Sequence, residues 1–495
     1  MQTNPVRIER SRDVARGVST TLDTNGLGCC NGLMDSLLTK IAAITGPQGL
    51  LTGADAAGRA GDWLGLSTCQ AKAIVRPAST QELSQIMALC HAAGQSVVPA
   101  GGLTGLVHGT DCTPDQIQIS LERMRAISAI DPVGRTMVVE AGAVVQAVQE
   151  AAAAQGLKFA VDWGARGSAT IGGGIATNAG GNSVVRYGMM RESVLGLEAV
   201  LADGTIISSM NVLLKNNAAY DLKQLFIGSE GTLGIVTRAV LRLHPAPLSV
   251  QTALLALDSF AAVQALFVEL GQKLGSGLTA YEVMWDNFYA PLAVESGRHT
   301  PPLPSGHSHY VLLEASGTDP DADAARFEAV LGRALEAGII ADAAIAASGA
   351  QADTMWRVRD DIEGLFAYAA PSVTFDVSLP IVAMEAYVAE VTRTVRAEWG
   401  DAAKLVVFGH IGDGNLHLII GPRPYDAAAR LRAEEIVYGA LVPYSGSVSA
   451  EHGIGLEKRE WLGITRSKAE IALMRTLKAA LDPMGILNPG KVLEK

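Results

Sequence analysis

Cysteine is scarce in this chain of 495 residues: there are five, Cys29, Cys30, Cys69, Cys90 and Cys112, with no CxxC pair among them. An odd count without that spacing argues against an iron–sulfur or cysteine-type zinc cluster built from this chain, and it fits a reducing compartment. Long apolar runs are missing too. No stretch of about 18 apolar residues is there to span a bilayer, and the opening MQTNPVRIERSRDVARG lacks the apolar core of a secretory signal. The expectation is a cytoplasmic protein with a loosely ordered start, peripheral membrane association staying open. Positive charge is in deficit, with 39 lysines and arginines against 50 acids and a formal charge of -11, which argues against nucleic acid as a partner. Two nucleotide signatures are also lacking. Neither a Walker A run nor a GxGxxG with a downstream ribose-binding acid occurs, so the P-loop and nicotinamide readings fall away.

What is present is apolar residue and glycine. At 48% hydrophobic and 18% charged, the chain can bury a large core, and its length calls for two or three domains. AIVRP, STQELSQIMALCHAAG and SVVPAGG read as strand, helix and strand, with Ser79 and Glu82 forming a capping box and Gly94 stopping the helix. Near His244-Pro245 the character changes: glycine thins out and helical segments lengthen. The expected organisation is an N-terminal extension over 1–47, a first domain over 48–245, a second over 246–440 and a closing segment over 441–495.

Three glycine segments carry the first chemical signal. PAGGLTGLVHGT, from Pro99 to Thr110, follows a predicted strand; its glycines would let backbone N–H groups approach an anion, although a tight turn needs small residues as well. DWGARGSATIGGGIATNAGGNSVVRYG, from Asp162 to Gly188, holds more glycines than one turn requires. IGSEGTLGIVT, from Ile227 to Thr237, ends in a β-branched strand.

The second signal is VVFGHIGDGNLHLII, starting at Val406. Asp413-Gly414 is a two-residue hairpin signal, and counting outward from it pairs Gly412 with Asn415, Ile411 with Leu416 and His410 with His417. Opposed residues stand about 5 Å apart at Cβ, so both rings could converge on one ion. A third ligand must then come from elsewhere; two hydrogen-bonded structural histidines are the alternative.

Taken in order, these segments, with EHG at Glu451 and the closing Asn488-Pro489-Gly490-Lys491, resemble the FAD-binding oxidoreductases of the vanillyl-alcohol oxidase type. Within that group they resemble the branch of D-2-hydroxyglutarate dehydrogenase, D-lactate dehydrogenase and the glycolate oxidase flavin subunit. The resemblance runs from about residue 48 to 495. It implies an α+β fold: a two-subdomain FAD-binding domain, an α+β cap domain for substrate, and a C-terminal segment completing the active site. It implies non-covalent FAD held by Pro99, Gly101, Gly102, Leu103, Thr104, Gly105 and Leu106, and by Gly164, Ser168, Gly172, Gly173, Asn178, Gly180 and Gly181. Gly234, Ile235, Val236 and Asn488 complete that set. His410, His417 and Glu451 match the branch's ligands for a divalent metal, zinc being the first choice, with manganese or iron also suited to such donors. His452 matches the general base that takes the hydroxyl proton while hydride leaves the α-carbon for flavin N5. Arg359, in MWRVRDDIEG, matches the cation that binds a substrate carboxylate; a surface arginine paired with Asp360 or Glu363 is the alternative reading.

The implied reaction converts a D-2-hydroxy acid to its 2-oxo acid, the electrons passing on to a quinone, an electron-transfer flavoprotein or a partner subunit. A homodimer is one expected assembly. The pattern has departures. Thr374 precedes Phe375-Asp376-Val377-Ser378 where the hydroxyglutarate enzymes usually have lysine, and Ile419 stands where they tend to have asparagine. The expected substrate is therefore D-lactate-like or carries an apolar or aromatic side chain, with D-2-hydroxyglutarate as the alternative. Leu103 and His108 replace a more usual Asn and Gly, and His108 raises covalent flavin attachment as a variant. Two rivals of other classes are a flavin-free metal hydrolase using the same histidines and glutamate, and a flavin-binding scaffold that does no chemistry.

Overall fold

The computed structural model describes residues 36–62 and 67–494. Most of the expected N-terminal extension, with Cys29 and Cys30, lies outside them.

The chain first builds two small sheets. Strands β1 (Leu50–Thr52), β2 (Ala73–Val75), β3 (Val97–Ala100) and β4 (Ile117–Ser120) form a sheet in the order β1-β2-β4-β3, with β2, β4 and β3 parallel. The strand–helix–strand expectation holds, except that β4 inserts between β2 and β3. Ser79 accepts the Glu82 N–H at 3.2 Å to start the helix Thr80–Ala92. The Glu82 carboxylate caps the Ala78 N–H instead of that of Ser79, so half of the expected capping box is present.

Strands β5 (Ile127–Asp131), β6 (Thr136–Glu140), β8 (Val194–Val200), β9 (Ile206–Ser209) and β10 (Ile235–Arg242) make an antiparallel sheet, ordered β5-β6-β10-β8-β9. A short β7 (Leu157–Lys158) pairs with β11 (His244–Pro245). One core serves both sheets, from Val75 and Ile86 through Val139 and Ile175 to Ala239.

A seven-stranded antiparallel sheet begins at Ser249, just past the sequence boundary at 245. It contains β12 (Ser249–Leu257), β13 (Leu278–Trp285), β14 (His309–Gly317), β15 (Asp342–Ile345), β16 (Val373–Ser378), β17 (Lys404–His410) and β18 (Asn415–Gly421), in the order β15-β12-β14-β13-β17-β18-β16. Side chains alternate between its faces. Tyr281, Val283, Phe375, Val377, Val407 and Leu418 pack under the long helices Phe260–Leu274, Pro320–Glu336 and Met384–Trp399. Met284, Val406, Phe408 and Ile419 occupy the other face.

The C-terminal segment ties the two halves together. Leu441 and Val448 belong to a core of the large sheet, whereas Ile486 and Leu487 enter the first core, where Val97 donates to Ile486 and Asn488 to Val97, both at 2.8 Å.

Candidate active site

The apolar alternation of the second face is broken by one row of ionisable side chains. Glu282 on β13 pairs directly with His410 on β17, and Asp376 on β16 pairs directly with His417 on β18. The expected hairpin register is corrected here. Phe408, not His410, stands opposite His417, and residues 411–414 form a longer turn with Gly414 at φ +88°. The error is two residues, and a slip of two preserves the face. His410 and His417 are therefore diagonal neighbours on one face, ring centroids 5.3 Å apart.

Each histidine has a buried carboxylate behind it. His410 Nδ1 lies 2.6 Å from Glu282 Oε1, and His417 Nδ1 lies 4.0 Å from Asp376 Oδ1. Their Nε2 atoms turn toward a single oxygen, Glu451 Oε1, at 3.8 and 3.6 Å. Ligand atoms about 2.0 to 2.1 Å from a tetrahedral ion would stand about 3.3 Å apart, so the donor set fits a small divalent cation after slight contraction, and the carboxylates behind the rings are the usual partners of ligating imidazoles. Asp376, His417, Glu451 and His452 also bring donor atoms within 4.8 Å of one another. Asp376 Oδ2, however, already accepts the N–H groups of Ala450, Glu451 and His452 at 2.9 to 3.1 Å and the Ser449 hydroxyl at 3.2 Å. That carboxylate holds the loop in place, which leaves His410, His417 and Glu451 as the residues that would hold a cation.

Electrostatics separates the two rings. Burial would lower the His410 pKa, but the charge and hydrogen bond of Glu282 outweigh it and raise it to about 9. Burial and the neighbouring His410 cation push His417 well below the ordinary value. Burial also works against ionising Asp376, yet the neighbouring His452, through its ring and its main-chain N–H, and the Lys458 ammonium keep it below the usual carboxylate range.

Arg359 is buried and corrects its sequence-based alternative. It binds Glu282, with Nε at 3.0 Å and a terminal nitrogen at 2.9 Å from Oε2. Asp360 is farther, at 3.9 Å, and Glu363 pairs with Arg298. Its guanidinium also lies 4.7 Å above the Phe408 ring. One carboxylate, Glu282, thus joins Arg359 to His410.

A cavity of about 1030 Å³ runs from this row into the first half of the molecule. Its walls include Pro99, Gly101, Gly102, Leu103, Thr104, Gly105 and Leu106, then Gly164, Gly172, Gly173, Gly180 and Gly181, then Gly234, Ile235, Val236 and Asn488; Arg359, His410, His417, Glu451 and His452 line its other end. Ser168 and Asn178 are not in the wall. The Ser168 carbonyl sits where a Cβ on Gly102 would be, at 2.0 Å, and Asn178 Oδ1 caps the Arg191 N–H at 2.9 Å.

The glycines divide by role. A Cβ on Gly181 would stand 1.8 Å from the Asp162 carbonyl, so that glycine permits backbone packing, whereas one on Gly105 or Gly164 would meet no protein atom within 4 Å. Among the described residues, the N–H groups of Gly102, Leu103, Thr104, Gly105 and Leu106 donate to no protein acceptor. Unpaired donors around a cleft are what an anionic, phosphate-bearing ligand requires. Leu103 and His108 hold φ of +57° and +59°, a region that Asn and Gly enter more readily. His108 is outside the wall and faces Asp111 and Glu457, at 3.1 and 3.6 Å, which gives covalent attachment no geometric support.

Comparison with known proteins places this geometry. Residues 71–209 match the family described as FAD binding domain, and residues 246–492 match FAD linked oxidases, C-terminal domain. The D-2-hydroxyglutarate dehydrogenase of Xanthomonas citri pv. viticola is 40% identical over 88% of this chain and 91% of its own length. The chain belongs to the FAD-linked D-2-hydroxy acid dehydrogenase family. The mitochondrial D-2-hydroxyglutarate dehydrogenase of Arabidopsis thaliana is 38% identical over 87% of this chain and 77% of its own. Among solved structures, p-cresol methylhydroxylase matches with a TM-score of 0.71 at 15% identity, over 93% of this chain and 97% of that one; this likeness concerns the fold. The chain is thus an FAD-linked oxidoreductase with the α+β architecture of the vanillyl-alcohol oxidase type.

Three residues of the site escape sequence reasoning. Glu282 and Asp376 are charges inside apolar strands, TAYEVMW and VTFDVS, and such a charge is the available signal, since burial demands a partner. Glu230 has weaker signal. It sits at φ +51° in the third glycine segment and accepts the N–H groups of Ile454 and Gly455 at 2.7 and 2.8 Å. The loop bearing Glu451 and His452 is therefore held by Asp376 of the large sheet and by Glu230 of the first half.

Proposed function

We propose that the chain oxidises the CH–OH group of a D-2-hydroxy acid to the 2-oxo acid, with FAD in the glycine-lined cleft and a divalent cation on His410, His417 and Glu451. The observation that carries this reading is the single cavity joining the three glycine segments to the histidine row.

FAD, when bound, supplies an acceptor for the hydride on the α-carbon. A cation on the three ligands supplies Lewis acidity that makes a substrate hydroxyl easier to deprotonate. The remaining work falls to side chains. His452 stands beside His417, with ring centroids 5.8 Å apart, and its Nδ1 is 3.9 Å from Asp376 Oδ2. Its ring is in place to take the hydroxyl proton. Arg359 is held by Glu282 on one edge and offers its remaining donors to the substrate carboxylate. Glu230 and Asp376 keep the loop carrying the base in position.

Metal removal tests the cation. Dialysis against a chelator should slow substrate-driven flavin bleaching by about 100-fold or more, several kcal/mol of lost charge stabilisation, while flavin absorbance is retained. Zinc or manganese should restore it, and His417→Ala should keep FAD but not metal. Undiminished bleaching in protein shown by elemental analysis to be metal-free would remove the cation from the scheme.

A further inference from the structure

The substrate end of the cavity is mixed: beside Arg359, the histidines and the acids Asp360, Asp361 and Glu363 it carries one apolar and aromatic patch. Thr374 and Ile419 are cross-strand partners on β16 and β18, both in the wall, directly beyond Asp376 and His417 on their strands. Phe408 continues this surface, its ring centroid 5.0 Å from that of His417. The helix Ile362–Ala369 packs over β17 and β18 and contributes Ile362, Leu365 and Phe366.

Cations are few in the same wall. Among the described residues, Arg166 and Arg359 are its two lysine or arginine residues. Arg166 is engaged by both oxygens of Asp162, at 2.9 and 3.1 Å, and Arg359 is bound to Glu282. If Arg359 receives the carboxylate common to every 2-hydroxy acid, a second carboxylate on the substrate would face aliphatic and aromatic carbon and acidic residues, with no uncommitted cation.

We infer that this site selects a D-2-hydroxy monoacid with an apolar side chain, branched or aromatic, over a diacid. The inference rests on the reading of the reaction given above, and it departs from the diacid for which the two relatives are named. One methylene in a hydrophobic pocket changes kcat/KM by about 10- to 200-fold, so the discrimination is measurable.

The test compares D-2-hydroxy-4-methylpentanoate and D-3-phenyllactate with D-2-hydroxyglutarate on protein loaded with FAD and metal. At least one apolar acid should exceed the diacid in kcat/KM by about tenfold or more. A smaller advantage, or a preference for the diacid, overturns the inference and leaves the reaction standing. If no D-2-hydroxy acid bleaches the flavin, the reaction itself is wrong. A second measurement uses Thr374→Lys, which sets an ammonium on the wall opposite Ile419. It should raise the ratio of kcat/KM for the diacid over the monoacid by about tenfold or more, as a new charge-assisted contact requires. An unchanged ratio in a folded, flavin-loaded variant overturns the inference.

Discussion

His452→Asn should lower the rate of flavin reduction by about 10²- to 10⁴-fold, the usual contribution of a positioned general base. The fold around it should survive, because Asp376 binds the His452 main-chain N–H at 2.9 Å and that bond does not depend on the ring. Stopped-flow bleaching under anaerobic conditions, normalised to flavin and metal content, gives the number directly. A fall of less than about tenfold would assign proton removal to another group. The obvious competitor is His410, but its Nδ1 is held by Glu282 at 2.6 Å and its Nε2 is directed at Glu451, so it has no edge left for the substrate.

The second large effect concerns Glu282. Its two oxygens bind His410 and Arg359, and it is 1% exposed. Burial disfavours its charge, yet the His410 and Arg359 cations hold its pKa below the ordinary carboxylate value. Glu282→Ala strands an uncompensated guanidinium beside a buried imidazole, which should cost about 3 to 5 kcal/mol in a denaturant titration. Glu282→Gln keeps a hydrogen-bonding side chain and should cost less in stability. It should still weaken metal retention by about 10- to 100-fold, because the imidazole loses the carboxylate that orients it. Metal affinity measured by competition with a chromogenic chelator separates the two effects. Stability and metal affinity both unchanged in Glu282→Ala would mean that this carboxylate supports neither partner.

Much of the site is legible in the sequence because its signals are local. The first and third glycine segments, the HxGDGNLH run and EHG each sit within a dozen residues, the second glycine segment is one continuous run of 27 residues, and the structure brings them around one cavity. The boundary near residue 245 is similarly visible as a change in glycine density, and the large sheet starts at Ser249. What sequence could not supply is partnership at long range. Glu282 and His410 are 128 residues apart, and the sequence contains nothing that says β13 will lie beside β17. Without that neighbour, a surface arginine paired with Asp360 or Glu363 stays open as the alternative to Arg359 as the substrate's cation.

The hairpin shows the opposite case, a local rule applied one turn too tightly. Asp413-Gly414 does mark a reversal, but Ile411–Asp413 coil into a short helical turn before Gly414, which moves the first pair outward to Phe408 and His417. The two-residue periodicity of the strands rescued the functional inference, since His410 and Phe408 share a face. Their place in a motif assigns Ser168 and Asn178 to the cofactor. In the structure neither lines the cavity: the Ser168 carbonyl lies against Gly102 and Asn178 Oδ1 accepts the Arg191 N–H.

The most direct test of the central claim is an anaerobic visible spectrum of the metal-replete protein, recorded before and after adding each enantiomer of a 2-hydroxy acid. The account predicts flavin bands that bleach with a D-acid and not with its L-form, with the matching 2-oxo acid recovered in an amount equal to the flavin reduced. A flavin spectrum that no D-2-hydroxy acid changes, under conditions where dithionite bleaches it, would contradict it.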